Sequence, residues 1–417
     1  MEITTKERHV LRELAKRQAE LSALPLMDER EKLWYDMGDG LASHPLVVME
    51  YHGHEEDIFP PLVCESHFAR TIEHQMARRL FKYETFRDDR IIPPYVSVGV
   101  GNWLTPFDYY PTTNNILRED GSRDIAYMYD HVVHDLENDY QIFKPSVFHA
   151  DKNLEDANES KKQAEEILGD ILPVRLEGFT FWYGPASVLI RMMSMETMFT
   201  SILDYPELFH KLMRTLTDEY LSFMDALEEN GSLIPTNGNT GIAMDTYCYN
   251  RTLPETLDRP AKMSEIWGYT NFQETVGMSA AMFDEFFFSY TKEIADRCGL
   301  YSYGCCEPVH PIWEKCLSRL TNLRKMSVSP WCDEEYIGEA IRGKNIVYHR
   351  KPFPNFIAVD DTFDGDAFLS HMEKTVKAAR GCPLEVTFRD VYSVRNEPAR
   401  LARAVELTRE AFARWYK

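Results

Sequence analysis

The stretch Leu300-Tyr-Ser-Tyr-Gly-Cys-Cys-Glu307 decides the fold class of this 417-residue chain. Four residues of strand-forming type end at a glycine, and two thiols and a carboxylate follow. Short apolar runs recur at 323–329, 345–349 and 384–388, with longer amphipathic segments between them. These segments are long enough for the helical crossovers that parallel strands require. We therefore predict an α/β fold with a parallel sheet.

The number of such units favours a (β/α)8 TIM barrel over an open doubly wound sheet. Residues 174–183 and 265–271 are further predicted strands, and no G-x-G-x-x-G motif of a dinucleotide-binding sheet follows any strand. The first 90 residues show helical spacing of apolar residues instead, and 95–101 is the first predicted strand. We predict an N-terminal helical extension over residues 1–90, packed on a barrel over 91–417.

The composition excludes several classes of protein. The chain is 44% hydrophobic, which is enough apolar surface to exclude disorder over most of its length. Its 46 basic and 67 acidic residues give a net charge of −21, which argues against nucleic acid as a partner. The apolar runs are too short for a signal peptide or a membrane span, so we expect a cytoplasmic protein. Eight cysteines are too few for a disulfide scaffold and suit thiol or metal chemistry better.

In a barrel of this kind the active site lies at the carboxyl ends of the strands, where Cys305, Cys306 and Glu307 stand. Thiolates are nucleophiles and soft metal ligands, and a nearby carboxylate completes a zinc shell at short spacing. The alternative is that two small residues fill a tight turn between strand and helix. We predict a functional role for this segment, with zinc as its candidate metal.

Two further strand ends carry titratable side chains. Gln273 and Glu274 follow the strand at 265–271, and a carboxylate there acts as general acid, general base or metal ligand. His349 and Arg350 lie at the end of the strand at 345–349, where a histidine shuttles protons or binds metal and either Arg350 or Lys351 holds an acidic substrate. The alternative roles are structural: a turn cap for Glu274, and packing or ion pairing for the other two.

A third group consists of side chains that would line a binding pocket. The segment 102–115 is predicted to be a loop, and its Trp103, Phe107 and Tyr109 suit a flat apolar ligand or simply pack. Asp245 lies near the end of a short predicted strand and is a further candidate at the same end of the barrel. We expect these residues to contact the substrate.

Several runs of the sequence, among them Cys298-Gly-Leu-Tyr-Ser-Tyr-Gly-Cys-Cys306, resemble the uroporphyrinogen decarboxylase superfamily. The other runs lie at 183–185, 204–210, 277–286 and 323–330. The likeness extends over residues 174–415. It implies a (β/α)8 barrel and a homodimer, and it leads to two branches, the decarboxylases themselves and the corrinoid-dependent methyltransferases.

The decarboxylase branch carries an N-terminal Arg-Gln-Ala-Gly-Arg-Tyr motif whose arginines bind the carboxylates of the substrate. In this sequence Arg17-Gln-Ala19 is followed by Glu20-Leu21, so the glycine, the second arginine and the tyrosine are missing. A net charge of −21 is also a poor match for a porphyrinogen with many carboxylates. The decarboxylase is therefore the second hypothesis.

The methyltransferase branch is the first hypothesis. Its zinc members use a His-x-Cys pair after a barrel strand and a distant cysteine. Here Tyr303 stands at the histidine position, where we expect it to contact substrate, and Cys305 matches the cysteine. Cys382 lies too early for the distant ligand. Either Glu307, His349 or Cys306 would take the place of a missing ligand; otherwise the chain works without zinc.

This branch implies that a methyl group moves from a small methylated donor to a corrinoid (cobalamin) carried by a partner protein. A methoxylated aromatic compound is one such donor, as in O-demethylases. Glu274 or a metal would assist the leaving group. A third hypothesis, from a different class, is a non-catalytic barrel that binds a tetrapyrrole or another small ligand.

Overall fold

The computed structural model describes residues 3–117, 123–150, 153–242 and 246–416. Its α-helices are α1 (Thr5–Ser22), α2 (Pro25–Gly38), α3 (His67–Phe86), α4 (Leu136–Asp139), α5 (Asn153–Leu168), α6 (Pro185–Leu189), α7 (Met195–Asp204), α8 (Pro206–Glu229), α9 (Ala280–Phe283), α10 (Ser289–Ala295), α11 (Glu334–Ile341), α12 (Asn355–Ala358), α13 (Gly365–Ala378) and α14 (Ala399–Trp415). Its strands are β1 (Leu46–Met49), β2 (Val96–Gly99), β3 (Trp103–Thr105), β4 (Thr113–Leu117), β5 (Arg123–Tyr129), β6 (Val147–His149), β7 (Val174–Glu177), β8 (Phe181–Trp182), β9 (Gly241–Ile242), β10 (Thr246–Tyr247), β11 (Trp267–Thr270), β12 (Leu300–Tyr303), β13 (Leu323–Val328), β14 (Val347–Arg350) and β15 (Leu384–Phe388). A π-helical turn, Asp284–Phe288, joins α9 to α10.

Seven strands form one parallel sheet in the order β1-β15-β14-β13-β12-β11-β8. A second parallel pair, β2 and β7, continues this series along the chain, because only residues 178–180 separate β7 from β8. The predicted α/β class with a parallel sheet is thus confirmed. Among the residues described above, no strand pairing joins β1 to β2, so the hydrogen bonds leave the sheet open at that point.

The two faces of the sheet differ in chemistry, because side chains alternate along each strand. Met326 and Val328 of β13 and Phe388 of β15 belong to the large apolar core, and we call their side the outer face. The inner face carries Lys325 of β13 and Glu385 of β15, whose ammonium and carboxylate groups lie 2.9 Å apart. The strands thus place apolar groups under the helices and charged groups on the other side.

The helices cover the outer face with apolar stripes at helical spacing. α13 contributes Phe368 and Met372, and α14 contributes Leu401 and Val405, all of them buried in the same core. Burial of such side chains contributes roughly 1.5–3 kcal/mol each. Within the part of the chain that the structure describes, no helix has the length and apolar character needed to cross a membrane.

Helix α1 begins with a capping box, and the same carboxylate ties it to α3. Thr4 is the N-cap: its Oγ1 accepts the backbone N–H of Glu7, while Glu7 Oε2 accepts the N–H of Thr4. Glu7 Oε1 accepts the backbone N–H groups of Glu65 and Ser66, just before α3. One buried carboxylate therefore fixes the starts of two helices.

The structure differs from the prediction in two places. β1 lies inside the segment 1–90 that was predicted to be helical, and it pairs with β15, so this segment contributes a strand to the sheet. All four residues of β1 are buried, and so short an apolar run has no alternation that distinguishes strand from helix. The segment 102–115, predicted to be a loop, contains β3, which pairs with β6, and most of β4, which pairs with β5.

Candidate functional site

A polar cluster lies where β11, β12 and β14 end. We call it the strand-end cluster, and its members are Glu274, Cys305, Cys306, Glu307 and Lys351. β11 pairs with β12, β12 with β13 and β13 with β14, all in parallel, so their carboxyl ends meet at one edge of the sheet. The structure therefore brings the predicted Glu274 together with the predicted segment 305–307.

Glu307 holds two strand ends together with its carboxylate. Its Oε1 accepts the backbone N–H of Phe272 at 2.8 Å, just after β11, and its Oε2 accepts the N–H of Cys305 at 2.8 Å, just after β12. The side chain is buried, at 3% exposure. Both oxygens are thus engaged by backbone, so Glu307 positions the cluster rather than presenting a free carboxylate.

The backbone of Cys305 is held from the other side as well. Gly304 has φ +97°, and a Cβ there would approach the Cβ of Ser327 to 3.1 Å, so the turn requires glycine. The carbonyl of Cys305 accepts Ser327 Oγ at 2.8 Å and Lys351 Nζ at 3.2 Å. Burial lowers the pKa of Lys351. Among the described residues no carboxylate forms an ion pair with this ammonium group, and its one hydrogen-bond acceptor is the neutral carbonyl.

The two thiols touch each other. Cys305 Sγ and Cys306 Sγ are 3.4 Å apart, and Cys306 Sγ lies 3.4 Å from Asp390 Oδ2, which follows β15. The hydrogen bond from Cys306 lowers the pKa of Cys305 against the opposing effect of burial, and the Lys351 ammonium lowers it further. The same hydrogen bond, with burial, raises the pKa of Cys306. Cys305 is therefore the thiol that ionises first, and Cys306 keeps its proton.

Glu274 is the least satisfied member of the cluster. It is 6% exposed, and its Oε1 accepts the hydroxyl of Ser187 in α6 at 2.5 Å. Its Oε2 is buried and has no hydrogen-bond partner within the described parts of the chain. Burial raises the pKa of Glu274, although the Ser187 hydrogen bond opposes this, and the negative charge of Glu307 adds to the rise. Glu274 is therefore a buried carboxyl group with a raised pKa and with one oxygen that has no partner among the described residues.

Two tyrosine hydroxyls next to the cluster are also buried without a partner among the described residues. The hydroxyl of Tyr269 in β11 has its pKa raised well above the ordinary value by burial, and the nearby Cys305 and Glu307 add to the effect. The hydroxyl of Tyr303 behaves in the same way, and Tyr303 lines a cavity of about 40 Å³ together with Phe272 and Glu307. Buried polar atoms without partners are costly in a folded protein, so they indicate a place where a ligand supplies them.

His349 and Arg350 are not part of the cluster. His349 points to the inner face, where its Nε2 lies 2.9 Å from Thr387 Oγ1 and 3.8 Å from Glu385 Oε1. Arg350 points to the outer face and is fully buried. Its guanidinium donates to the carbonyls of Val328 and Ser329 and to Glu334 and Thr375. Both side chains are thus engaged in the scaffold, and the structure does not bring Arg350 to a substrate.

The remaining predicted residues are distributed around the cluster. Gln273 is exposed in the same turn as the buried Glu274, whereas Asp245 lies outside the described residues. Trp103 is 52% exposed and stacks on His149 at 4.6 Å between ring centroids. Phe107 is buried and packs edge-on against Phe143, and the hydroxyl of Tyr109 donates to the carbonyl of Asp130. These three aromatic residues make those contacts within the segment 103–149.

The predicted zinc ligands are Cys305, Cys306 and Glu307, and their side chains have other partners in the structure. In residues 3–117, 123–150, 153–242 and 246–416, no group of three or more His, Cys, Asp or Glu side chains could hold a metal ion. Both oxygens of Glu307 are taken by backbone N–H groups, and Cys306 is directed to Asp390. The residues described here do not fit zinc, and we derive no chemical step through it.

Three residues that contact or adjoin the strand-end cluster were not predicted from the sequence: Ser187, Tyr269 and Asp390. Asp390 is the second residue after the last strand, so the rule that picked out Glu274 and Cys305 would have found it. Ser187 was hidden because it lies in a short helix three residues after Gly184, and Tyr269 because it lies within a strand rather than after one.

Comparisons with known proteins support the architecture. No protein-family model matches the chain, and no curated protein matches it. A solved structure described as a methyltransferase from Methanosarcina mazei is similar to this chain with a TM-score of 0.50 and 15% sequence identity. The match covers 92% of this chain and 98% of that one. At this identity the likeness shows the fold, which the two chains share over nearly their whole lengths.

Proposed function

We propose that this chain is a methyltransferase that moves a methyl group from a small methylated donor to a corrinoid carried by a partner protein. The observation that carries the proposal is Glu274, a buried carboxyl group with a raised pKa and one free oxygen at the ends of parallel strands. The similarity in fold to a methyltransferase from Methanosarcina mazei supports it. In this proposal β1, β2, the β7–β8 segment and β11 to β15 are the eight strands of a (β/α)8 barrel.

Methyl transfer from an ether or an amine needs help at the leaving group, because an alkoxide or amide anion leaves poorly. In this proposal Oε2 of Glu274 donates a proton to that oxygen or nitrogen, so that the donor leaves as a neutral alcohol or amine. The carboxylate left behind keeps the Ser187 hydrogen bond. A cobalt(I) corrinoid, when docked, supplies the nucleophile that takes the methyl group.

The surrounding side chains orient the donor and exclude water. Trp182 and Tyr269 lie on neighbouring strands at this end of the sheet, and Trp182 Nε1 donates to Asn271 Oδ1 at 3.1 Å. Their rings offer an apolar wall for a methoxylated aromatic donor, and the Tyr269 hydroxyl offers it a hydrogen bond. Because the corrinoid partner docks over the strand ends, the donor must lie between it and Glu274.

The decarboxylase hypothesis gains no support from the arrangement of its first motif. Arg17 lies on α1 with its side chain half exposed, where it pairs with Glu20 and Glu84. Gln18 is buried and donates to the carbonyls of Pro93 and Tyr95. Both residues are used in packing the N-terminal helices, so neither is free to bind a porphyrinogen carboxylate.

The test is methyl transfer to free Co(I) cobalamin, followed by the decay of Co(I) absorbance, with methoxybenzene, 3-methoxybenzoate, methanol and trimethylamine as donors. We expect at least one donor to react, and Glu274→Gln to slow the reaction about 10²–10⁴-fold, because the amide cannot donate the proton. The rate with the unaltered chain should fall as pH rises through the raised pKa of Glu274.

The matched control is Glu285→Gln, because the Glu285 side chain is 60% exposed and lies in the π-helical turn Asp284–Phe288. It should transfer at the rate of the unaltered protein. If Glu274→Gln also transfers at that rate, Glu274 is not the acid. If no donor reacts and the protein binds a tetrapyrrole, the methyltransferase proposal is wrong and the third hypothesis, a non-catalytic ligand-binding barrel, takes its place.

A further inference from the structure

Cys305 and Cys306 differ from the other cysteines in what their sulfur atoms touch. All eight cysteines are free. Cys298, Cys316 and Cys382 each direct the thiol to a backbone carbonyl of a helix or turn, at 3.3–3.8 Å. In contrast, Cys305 Sγ faces Cys306 Sγ at 3.4 Å. The pair is therefore about 1.4 Å from the S–S bonding distance of ~2.05 Å.

We propose that Cys305 and Cys306 form a reversible disulfide when hydrogen peroxide reaches the strand-end cluster. Cys306 is half-buried, whereas Cys305 is only 3% exposed, so the peroxide reaches the pair from the side of Cys306. The cluster is thus a modification site that alternates between a dithiol and a disulfide.

The reaction balances with the peroxide as the only co-reactant. The Cys305 thiol, which ionises first, gives up its proton and attacks one peroxide oxygen. The O–O bond breaks, and a Cys305 sulfenic acid and one water molecule form. The Cys306 thiol then displaces the sulfenic oxygen as a second water molecule, and the S–S bond closes. The two sulfur atoms are oxidised by two electrons in total, and the peroxide is reduced to two water molecules. Contact between the sulfur atoms favours closure over further oxidation of Cys305 to a sulfinic acid.

Such a bond would be easily reduced. The Cα atoms of neighbouring residues are ~3.8 Å apart, which is less than the roughly 4.4–6.8 Å that most disulfides span. A bond between adjacent residues also closes no loop of chain, so it restricts the unfolded state very little. Strain without that stabilisation is typical of labile, regulatory disulfides rather than structural ones.

Closure would rearrange the site because the backbone of Cys305 is held on both sides. Its N–H is held by Glu307 and its carbonyl by Ser327 and Lys351. The displacement therefore falls on Cys306, which loses its thiol hydrogen and its contact of 3.4 Å with Asp390 Oδ2. The disulfide also removes the thiol that lies near the Lys351 ammonium. We expect the oxidised protein to lose methyl transfer, and this part of the inference rests on the proposed function.

The experiment treats the full chain with increasing hydrogen peroxide, then denatures it and alkylates the free thiols with iodoacetamide. We expect the count of alkylated cysteines to fall from eight by two. The tryptic peptide 298–315 should lose two hydrogens in mass, and dithiothreitol should restore them. Cys298→Ser is the matched control, because it removes a thiol from the same peptide but keeps the pair, and it should still lose two thiols. Cys305→Ser and Cys306→Ser should not form the bond.

The outcomes separate the two proposals. A count that stays at eight, or a peptide that gains oxygen atoms instead of losing hydrogens, overturns the disulfide even if methyl transfer is found. A disulfide that forms in a protein whose reduced state transfers no methyl group leaves the redox pair standing and removes the proposed function. A disulfide that forms without slowing methyl transfer overturns the regulatory role.

Discussion

Two buried polar regions of the molecule differ in how completely their hydrogen bonds are met. The first is an inner-face network of Thr246, Lys325, His349, Glu385 and Thr387. Lys325 Nζ donates to Glu385 Oε2 at 2.9 Å and to Thr246 Oγ1 at 2.6 Å. Its third acceptor is the carbonyl of Tyr247 at 2.9 Å. This ammonium group therefore has an acceptor for each of its three hydrogens, although its side chain is fully buried.

The second region, the strand-end cluster, has the same residue types with fewer partners. Lys351 is also buried, yet its one acceptor among the described residues is the carbonyl of Cys305. Glu274 Oε2 and the Tyr269 hydroxyl have none there. An unmet buried polar group costs about 1–3 kcal/mol. The inner-face network has one such atom, Glu385 Oε1, which lies 3.8 Å from His349 Nε2. The two regions therefore differ most clearly in their lysines, since Lys325 has three acceptors and Lys351 has one among the described residues.

Breaking the inner-face network should have the largest effect on stability. Glu385→Leu leaves Lys325 charged, buried and without its counter-ion, so we expect the free energy of unfolding to fall by about 3–5 kcal/mol. Urea unfolding measures this. The double variant Lys325→Met/Glu385→Leu should recover most of the loss, because no charge remains unpaired.

A surface pair serves as the control for that prediction. Lys292 and Asp296 are one helical turn apart with side chains 30% and 46% exposed, so Lys292→Met should change the free energy of unfolding by less than about 0.5 kcal/mol. If Glu385→Leu costs no more than Lys292→Met, the inner-face network is not a scaffold and the comparison fails.

Lys351→Met should change the free energy of unfolding by less than Glu385→Leu does, and in the opposite direction. Removing a buried ammonium that lacks a counter-ion should leave the free energy of unfolding unchanged or raise it by up to roughly 2 kcal/mol at pH 7. Burial lowers the pKa of Lys351, so the unfolded chain binds this proton more tightly than the folded protein. Stability of the unaltered protein should therefore rise with pH between the lowered pKa and the ordinary value of ~10.4.

Urea unfolding between pH 7 and pH 10 measures that slope. Lys351→Met should lack the rise, and the exposed Lys344→Met should keep it. A loss of several kcal/mol in Lys351→Met would mean that its ammonium is satisfied after all.

The smallest effects concern two buried carboxyl groups, Glu7 and Glu274, whose pKa values are shifted in opposite directions. Their contributions to stability should therefore depend on pH with opposite sign. Backbone hydrogen bonds from Ser66 and Thr4 lower the pKa of Glu7 from about 4.5 to about 2. Its contribution to stability is present above the unfolded value and is lost as pH falls from about 5 to about 2. Glu274 has a raised pKa, so its contribution is present below the unfolded value and is lost as pH rises through the raised pKa.

Stability measured against pH in Glu7→Gln and Glu274→Gln checks both signs. The first variant should lack the acid loss, and the second should lack the loss on raising pH. If both variants change the dependence of stability on pH in the same direction, the carboxylate of Glu274 is stabilised by its surroundings as that of Glu7 is. Glu274 then cannot act as a neutral acid.

The strands at the centre of the sheet were predictable, because their apolar runs end at clear turns. β12 and β15 have the bounds Leu300–Tyr303 and Leu384–Phe388 that the sequence indicates. β1 was missed because it is four apolar residues in a helix-rich region, and only its partner β15, at the far end of the chain, makes it a strand. Long-range pairing of this kind leaves no local pattern.

The positions of the candidate site were predictable, but the directions of the side chains were not. The rule of strand ends pointed to Glu274, to Cys305 and to either Arg350 or Lys351, and of these Arg350 lies on the other face. The predicted strand ended at residue 349 and the observed one ends at Arg350. Because side chains alternate, these two neighbouring cations face opposite sides, and Lys351 is the one whose ammonium group reaches the strand-end cluster.

The pairing of β1 with β15 joins segments from opposite parts of the sequence, so it can form only after residues 384–388 have been synthesised. Leu46 pairs with Glu385, so β1 emerges from the ribosome long before its partner. At ~5–20 residues per second, β1 waits on the order of tens of seconds for β15. Folding dominated by such distant contacts is slow, because the loop must close before the contact forms. During that interval the edge of β1 that will pair with β15 lacks its partner and can pair with other nascent chains. Synthesis of residues 384–388 ends this interval.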